Sequence, residues 1–309
     1  MKRLISIVII NKNDRAIKKT LRACSSLPGN INYELIVVDS SEGKLDDIAL
    51  GFPKVNWIPF TPRKDKPITI PEARNTGVRA AKGNIIVFID ANCVPQGNWL
   101  AELIEPILSQ RESIVAGATT SEGKETTHDH AHLENKSKLY IDECPTINLA
   151  FTRKLYETIG GFDERFDYGS DVDFSWRVID AGYKVRYQPV AKISHDWGDR
   201  RQELRRSFLY GKARTRLYTK HKKIKKLFTT DIVLVIYPVY IIGLPLTLVW
   251  PWYPVLLLIP AARNLRKKPI TTIVDHLAYA VGALDEIFVM PMKRSSNLNK
   301  MPRKATEKL

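Results

Sequence analysis

The sequence predicts an α/β fold, a mostly parallel β-sheet flanked by helices, followed by a basic helical stretch and an apolar, membrane-associated C-terminal segment. Three observations predict it. Short β-rich apolar runs alternate with helix-period segments through the first 200 residues, as strands do when crossover helices bury both sheet faces. The early runs end on Asn11, Asp39 and Asp90, and in an open α/β sheet ligands sit beyond the carboxyl ends of the strands. No charged side chain occurs from Ile232 to Ala262.

Leu4–Ile10 is the first strand. It is too short for a signal peptide and meets charge with no small-residue cleavage site. After the NKND turn, Ile17, Leu21, Cys24 and Leu27 are spaced as on one helix face. YELIVVDSS is a second buried strand, ending in Asp39. PEARNTGVRAAKG reads as a helix, with Pro71 near its start, Gly77 allowing close packing and Gly83 as its stop. In GNIIVFIDANCVP the apolar run Ile85–Ile89 stops abruptly at Asp90. Asp90 and Asn92 then place two oxygen-bearing side chains two positions apart, before Pro95 prevents the strand from continuing. A helix around NWLAELIEPILSQ and the strand SIVAGA extend the alternation.

Residues 119–147 are polar and irregular. His128, His130 and His132 would share one side of a strand and suit a metal, but in so polar a loop they read as solvated imidazoles. Order resumes with NLAFTRKLYETIGGFDERF, a helix capped by Gly160 and Gly161. YGSDVDFSWRVIDAGYKVRYQP follows, a helix with acids at 171 and 173, Gly182 as its stop, and a short strand. At about 100° per residue, Phe174, Val178 and Ile179 share a side with Asp171, and Asp173 lies nearly opposite. Asp171 is expected to point inward and Asp173 to face out at the helix start.

The chain of 309 residues divides by these signals into a core at 1–200, a basic helical linker at 201–230, the apolar segment at 231–262 and an amphipathic, basic tail at 263–309. The net charge of +15 is concentrated: Arg200–Lys226 holds twelve Lys or Arg and one acid, Glu203. Thirty-one uncharged residues are enough for one tilted spanning helix or a hairpin that enters and returns. Prolines at 238, 245, 251, 254 and 260 argue against a straight rod, and Trp250, Trp252 and Tyr253 suit a membrane interface. A buried helical hairpin of a soluble domain is the other reading. The basic tract beside the segment implies anionic lipid as a partner and a cell-membrane location with the core cytoplasmic. It lacks the interleaved stacking aromatics of a nucleic-acid binder. Cys24, Cys93 and Cys144 are too scattered for a disulfide framework or a zinc site.

The motifs SIVIINKND, LIVVDSS, ARNTGVRAAKG, IVFIDANCVP, NLAFTRKLYETIGGFDERF, GSDVDFSWRVIDAGYKVRYQP and ISH stand in that order. Together they resemble the family 2 glycosyltransferases of GT-A fold, a Rossmann-like architecture, and particularly the membrane-associated succinoglycan-type, ExoA-like group. The resemblance covers about residues 4–200. It implies an inverting enzyme that moves a sugar from a nucleotide-diphosphate donor to a lipid-linked or glycan acceptor, with Mg²⁺ or Mn²⁺ as cofactor. Asn11, Asp14, Asp39, Arg74, Asn75 and Asp90 become donor-side residues, with Asp39 facing the nucleoside and Arg74 pairing with phosphate. Asp90, Asn92 and the late His195 become metal ligands, hard oxygens suiting either ion. Asn92 departs from the family's D-x-D pattern, and Ser170 stands where an acid usually precedes the catalytic Asp. Asp171 becomes the general base, and Thr146, Asn148 and Asp173 the acceptor side. A degenerate fold kept as a membrane scaffold is the competing reading, motivated by Asn92 and Ser170. A sugar nucleotidyltransferase is disfavoured because no Gly-rich phosphate loop follows the first strand.

Overall fold

The structure, a computed structural model, describes residues 3–28, 31–62, 69–121, 139–257, 259 and 269–289. His128, His130 and His132, most of the polar stretch around them, the end of the apolar segment and much of the tail lie outside the described residues. The chain divides into two compact units, Met1–Trp197 and Gly198–Leu309.

In the first unit the chain runs β1 (Ile5–Asn11), α1 (Ile17–Cys24), β2 (Tyr33–Asp39), α2 (Asp46–Leu50), β3 (Asn56–Pro59), α3 (Ile70–Ala80), β4 (Ile85–Ile89), β5 (Cys93–Pro95) and α4 (Trp99–Leu108). It continues through β6 (Ile114–Ser121), β7 (Tyr140–Ile141), β8 (Asn148–Thr152), α5 (Arg153–Ile159), α6 (Ser170–Asp180) and β9 (Val185–His195). Strand side chains alternate between two cores. Ile5, Ile7, Ile9, Val37 and Val87 pack with α1 and α4, whereas Val8, Ile36, Val38, Ile86 and Phe88 pack with α3, α5 and α6. Gly77 lets α3 lie close on the sheet, since an added Cβ would come within 2.3 Å of Val8 Cγ1. Gly160 ends α5 in the left-handed region at φ 82°. The α3 helix stops at Ala80, where Ala81 turns extended, rather than running to Gly83.

The sheet is mixed rather than mostly parallel. Its order is β3-β2-β1-β4-β8-β6-β9-β5, with β7 beside β9. The first four of these strands are parallel, but β8 runs antiparallel between β4 and β6. The stretch NLAFTRKLYETIGGFDERF is not all helix as expected: Asn148–Thr152 is the inserted strand β8, and α5 begins only at Arg153, because a five-residue apolar run carries too little periodicity to separate a buried strand from a helix start.

The second unit contains α7 (Arg200–His221), α8 (Ile224–Thr229), α9 (Val233–Ile242), 3₁₀ turns at Leu244–Leu248 and Tyr253–Leu257, α10 (Pro269–Leu284) and a π turn at Asp285–Val289. The expected single tilted spanning helix is not formed among the described residues. No helix among the described residues is long and apolar enough to cross a membrane. The prolines are the physical cause: Pro245 opens the first 3₁₀ turn and Pro254 lies in the second, where an α-helix would need N–H donors that proline lacks. The basic tract is also partly spent internally. Arg200 meets Asp275 at 2.7 Å, Arg216 meets Glu286 at 2.7 Å, Arg214 meets Asp231 at 3.6 Å, and Lys212 pairs with Asp285. These α7 cations hold acids of their own unit, which weakens the expectation that α7 binds anionic lipid.

Candidate active site

The site is built where strands end. Parallel pairing of β1 with β2 sets Asn11 opposite Asp39, so Asn11 Nδ2 donates to Asp39 Oδ1 at 3.2 Å. Ser41 Oγ donates to the same carboxylate oxygen at 2.6 Å and accepts from Asn13 N at 2.6 Å, fixing the strand-end loop. Asn11 Oδ1 is buried without a hydrogen-bond partner, an acceptor left over for a ligand. Asp14 begins the turn into α1 by accepting from Ala16 N at 2.8 Å.

Arg74, on α3, is buried. Its Nη1 donates to Ser170 Oγ at 2.7 Å, its Nη2 lies 3.9 Å from Asp171 Oδ2, and its guanidinium sits 5.5 Å from the centre of the Phe162 ring. The guanidinium Nε has no hydrogen-bond partner. A buried cation with spare donor capacity beside strand-end acids is suited to an anion such as phosphate.

Asp90 follows β4 and is half-buried. Burial pushes its carboxyl up to about 6; the Arg74 cation opposes this and the Asp171 charge adds to it. Arg74 and Asp171, 97 residues apart in the chain, therefore both act on Asp90. The Asp171 side chain is one-fifth exposed, and its Oδ1 accepts from Val172 N at 2.9 Å.

The β4–β5 turn and the end of β9 lie side by side. Cys93 pairs with His195, and Asn92 Nδ2 donates to Asp196 O at 2.9 Å, which leaves Asn92 Oδ1 as the atom able to ligate. His195 is buried at the end of a strand of eleven residues, longer than expected, with its ring 4.1 Å from that of Trp197. Among the described residues no group of three His, Cys, Asp or Glu could hold a metal unaided. The carboxylate of Asp90, the Asn92 oxygen and the His195 imidazole are the donor types a divalent ion would use here, provided other ligands complete its shell.

Other expectations need correction. Asp173 does not face out: it is fully buried, accepting from Arg177 Nε at 2.9 Å, while Arg177 Nη1 and Nη2 donate to Ile159 O and Gly161 O at 2.7 Å each. Helical phase alone missed this because the α5–α6 connection covers the flank that a lone helix would expose. Asn148 is not on an acceptor face. Its Nδ2 ties Ala118 O and Ala191 O at 2.8 and 2.9 Å, and its Oδ1 accepts from Trp99 Nε1 at 2.8 Å. Thr146 is likewise buried. Asn75 is a brace rather than a donor contact. Its Nδ2 donates to Phe162 O and Glu164 Oε1, both at 2.9 Å, while its Oδ1 accepts from Tyr156 OH at 2.7 Å and Phe162 N at 3.0 Å. The helpers that sequence reasoning missed are Ser41 and Phe162, while Ser170, noted only as a departure from the family pattern, is the hydroxyl that accepts from Arg74. Ser41 was signalled only by its place two residues after Asp39, a turn spacing. A separate concavity of about 550 Å³ runs along α1 past Arg15, Lys18, Lys19 and Arg22, and none of the crevice acids lines it.

Comparison with known proteins gives the same frame. A pre-mycofactocin glycosyltransferase of Mycobacterium tuberculosis is 29% identical over 163 residues, 48% of this chain and 35% of the relative. The chain thus spans about a third of the length of that mycobacterial relative. The glycosyltransferase AglE of Haloferax volcanii is 26% identical over 226 residues, 69% of this chain and 74% of the relative. In fold, the chain resembles a mannosyltransferase from Pyrobaculum calidifontis solved with GDP-Man and Mn²⁺, with a TM-score of 0.69 at 18% identity over 94% of this chain and 88% of that one. The family profile described as glycosyl transferase family 2 matches residues 6–170, more than half of the 309, and takes in β1 to the start of α6: the chain belongs to glycosyl transferase family 2.

Proposed function

We propose that the chain is an inverting, divalent-cation-dependent glycosyltransferase that moves a sugar from a nucleotide-diphosphate donor to a glycan or polyprenyl-linked acceptor at the cytoplasmic face of a membrane. One observation carries the reading: in a family 2 chain, Arg74 lies 3.9 Å from Asp171, and both act on the carboxyl of Asp90 at the end of β4. Asn11 and Asp39 offer acceptors to the nucleoside, and Arg74 offers its free donor capacity to the diphosphate. Asp90, with Asn92 Oδ1 and His195, would hold Mg²⁺ or Mn²⁺. Such an ion supplies charge neutralisation at the leaving diphosphate. Asp171 takes the proton of an acceptor hydroxyl as its oxygen attacks the anomeric carbon in line. Within the family we place the chain with the membrane-associated, ExoA-like members, on the order of its motifs. Donor and metal are supported by the names of neighbours solved with GDP-Man or UDP and Mn²⁺.

A panel of UDP-, GDP- and dTDP-sugars, each with Mg²⁺ or Mn²⁺, tests the reading. One donor should be consumed only with metal, and Asp90→Ala should abolish that consumption. Consumption of none, with no nucleotide-dependent thermal shift, would favour a catalytically silent scaffold.

A further inference from the structure

The stretch after α9 is folded inside out. Tyr253 is the one buried residue among those described between Ile242 and Ile259. It is held on three sides: its ring stacks on Tyr240 at 5.2 Å, its hydroxyl donates to Tyr240 O at 3.0 Å, and the Trp250 ring meets it edge-on at 6.1 Å. Gly243 makes the room, because a Cβ there would lie 2.1 Å from Tyr253 Oη. Around this pin the large apolar side chains face outward: Leu248 is 88% exposed, Val249 86% and Trp252 70%. A specific fold has been built whose apolar surface is outside, which water alone does not favour.

The backbone suits a medium poorer in water. The N–H groups of Leu246, Val249, Tyr253 and Val255 donate to Gly243, Leu246, Trp250 and Trp252 carbonyls at 2.9–3.0 Å. Pro245, Pro251 and Pro254 have no N–H to satisfy. Depth is limited, however. A ten-residue helix such as α9 reaches about 15 Å, half of a hydrocarbon core of about 30 Å. Earlier in this unit, α8 carries exposed Ile224 and Phe228 together with exposed Lys225, and exposed Lys222 stands at the α7–α8 junction two residues before it. Cations interleaved with apolar side chains match the boundary between anionic headgroups and acyl chains.

From these features we infer that Leu244–Leu256 is a preformed wedge that enters one leaflet of an anionic bilayer without crossing it, with Lys222 and Lys225 at the headgroups. The inference deepens the membrane placement proposed above and is independent of the sugar chemistry.

Full-length protein is floated with phosphatidylcholine vesicles, with and without phosphatidylglycerol. Wild type should float with both and more with the anionic lipid. Leu248→Asp/Val249→Asp should lower partitioning by at least about tenfold, since two large apolar contacts are lost. Lys222→Glu/Lys225→Glu should lose only the preference for anionic vesicles. Tryptophan fluorescence should be quenched more by lipids brominated near the headgroup than by those brominated near the chain end. The wedge is overturned if wild type stays with the soluble fraction, if the double Asp variant floats as well as wild type, or if deep quenching is the stronger. It is also overturned if wild type is a stable dimer that the double Asp variant dissociates, which would make a second copy the occupant. Donor turnover in solution should be the same in the double Asp variant and wild type. Normal flotation without any donor turnover would sink the enzymatic reading and leave this one standing.

Discussion

Asp171 and Asp173 lie two residues apart on α6, and the structure assigns their substitutions opposite consequences. The Asp173 side chain is 0% exposed and its partner Arg177 22%. Breaking a buried ion pair costs about 3–5 kcal/mol. Arg177 keeps its two carbonyl bonds and some contact with water, so Asp173→Asn should cost the lower part of that range, about 2–3 kcal/mol. That exceeds the few tenths to 1 kcal/mol expected of a first-turn acid on an exposed helix start. For a unit of this size each kcal/mol moves Tm by about 2–4 °C, giving a fall of about 4–12 °C. Asp171→Asn retains an oxygen for the Val172 N–H and loosens only the long 3.9 Å pairing with Arg74, whose guanidinium keeps its bond to Ser170, so Tm should move little. It cannot take a proton, and turnover on a hydroxyl acceptor should fall by about 10²–10⁴. A polyprenyl phosphate acceptor, already an anion, should escape most of that loss. Differential scanning fluorimetry and initial rates, taken well below both melting temperatures, read the contrast. The reasoning is refuted if Asp173→Asn loses more turnover than Asp171→Asn, or if the two variants melt alike.

Three further outcomes follow from the same geometry. Burial raises the Asp90 carboxyl from 3.8 to about 6, so the fold prefers it protonated. Its contribution to stability is present below about pH 4 and lost as pH rises through about 6. Asp90→Asn should therefore melt higher than wild type near pH 8 without ligand, and no higher near pH 4. Stabilisation of wild type by Mn²⁺ with a nucleoside diphosphate should fade below about pH 6 as protons displace the ion. Melting curves across that range check both points, and a metal-dependent gain undiminished near pH 5 would contradict them. Asn75→Ala removes four hydrogen bonds that hold the Phe162 loop, and should cost about 2–4 kcal/mol in Tm measurements with little change in donor KM near 20 °C. A rise in donor KM without thermal loss would return Asn75 to the donor side.

What the sequence determined by itself was local. Apolar runs closed by Asn11, Asp39 and Asp90 located the strand ends, because β-branched clusters and a polar stop are properties of neighbouring residues. The Asp171 helix and the Gly160 cap were legible for the same reason. Tertiary structure decided everything that depends on what lies across from a residue. Only the pairing of β1 with β2 joins Asn11 to Asp39, only the approach of α3 to α6 sets Arg74 between Ser170 and Asp171, and only the α5–α6 connection buries Asp173. The strand β8 was likewise invisible, since Asn148–Thr152 is too short an apolar run to show its period and reads as the start of the helix that follows it. In the second unit the uncharged tract announced its apolarity. Its shape was decided by where prolines deny an α-helix its donors and where Gly243 lets Tyr253 turn the chain back on itself.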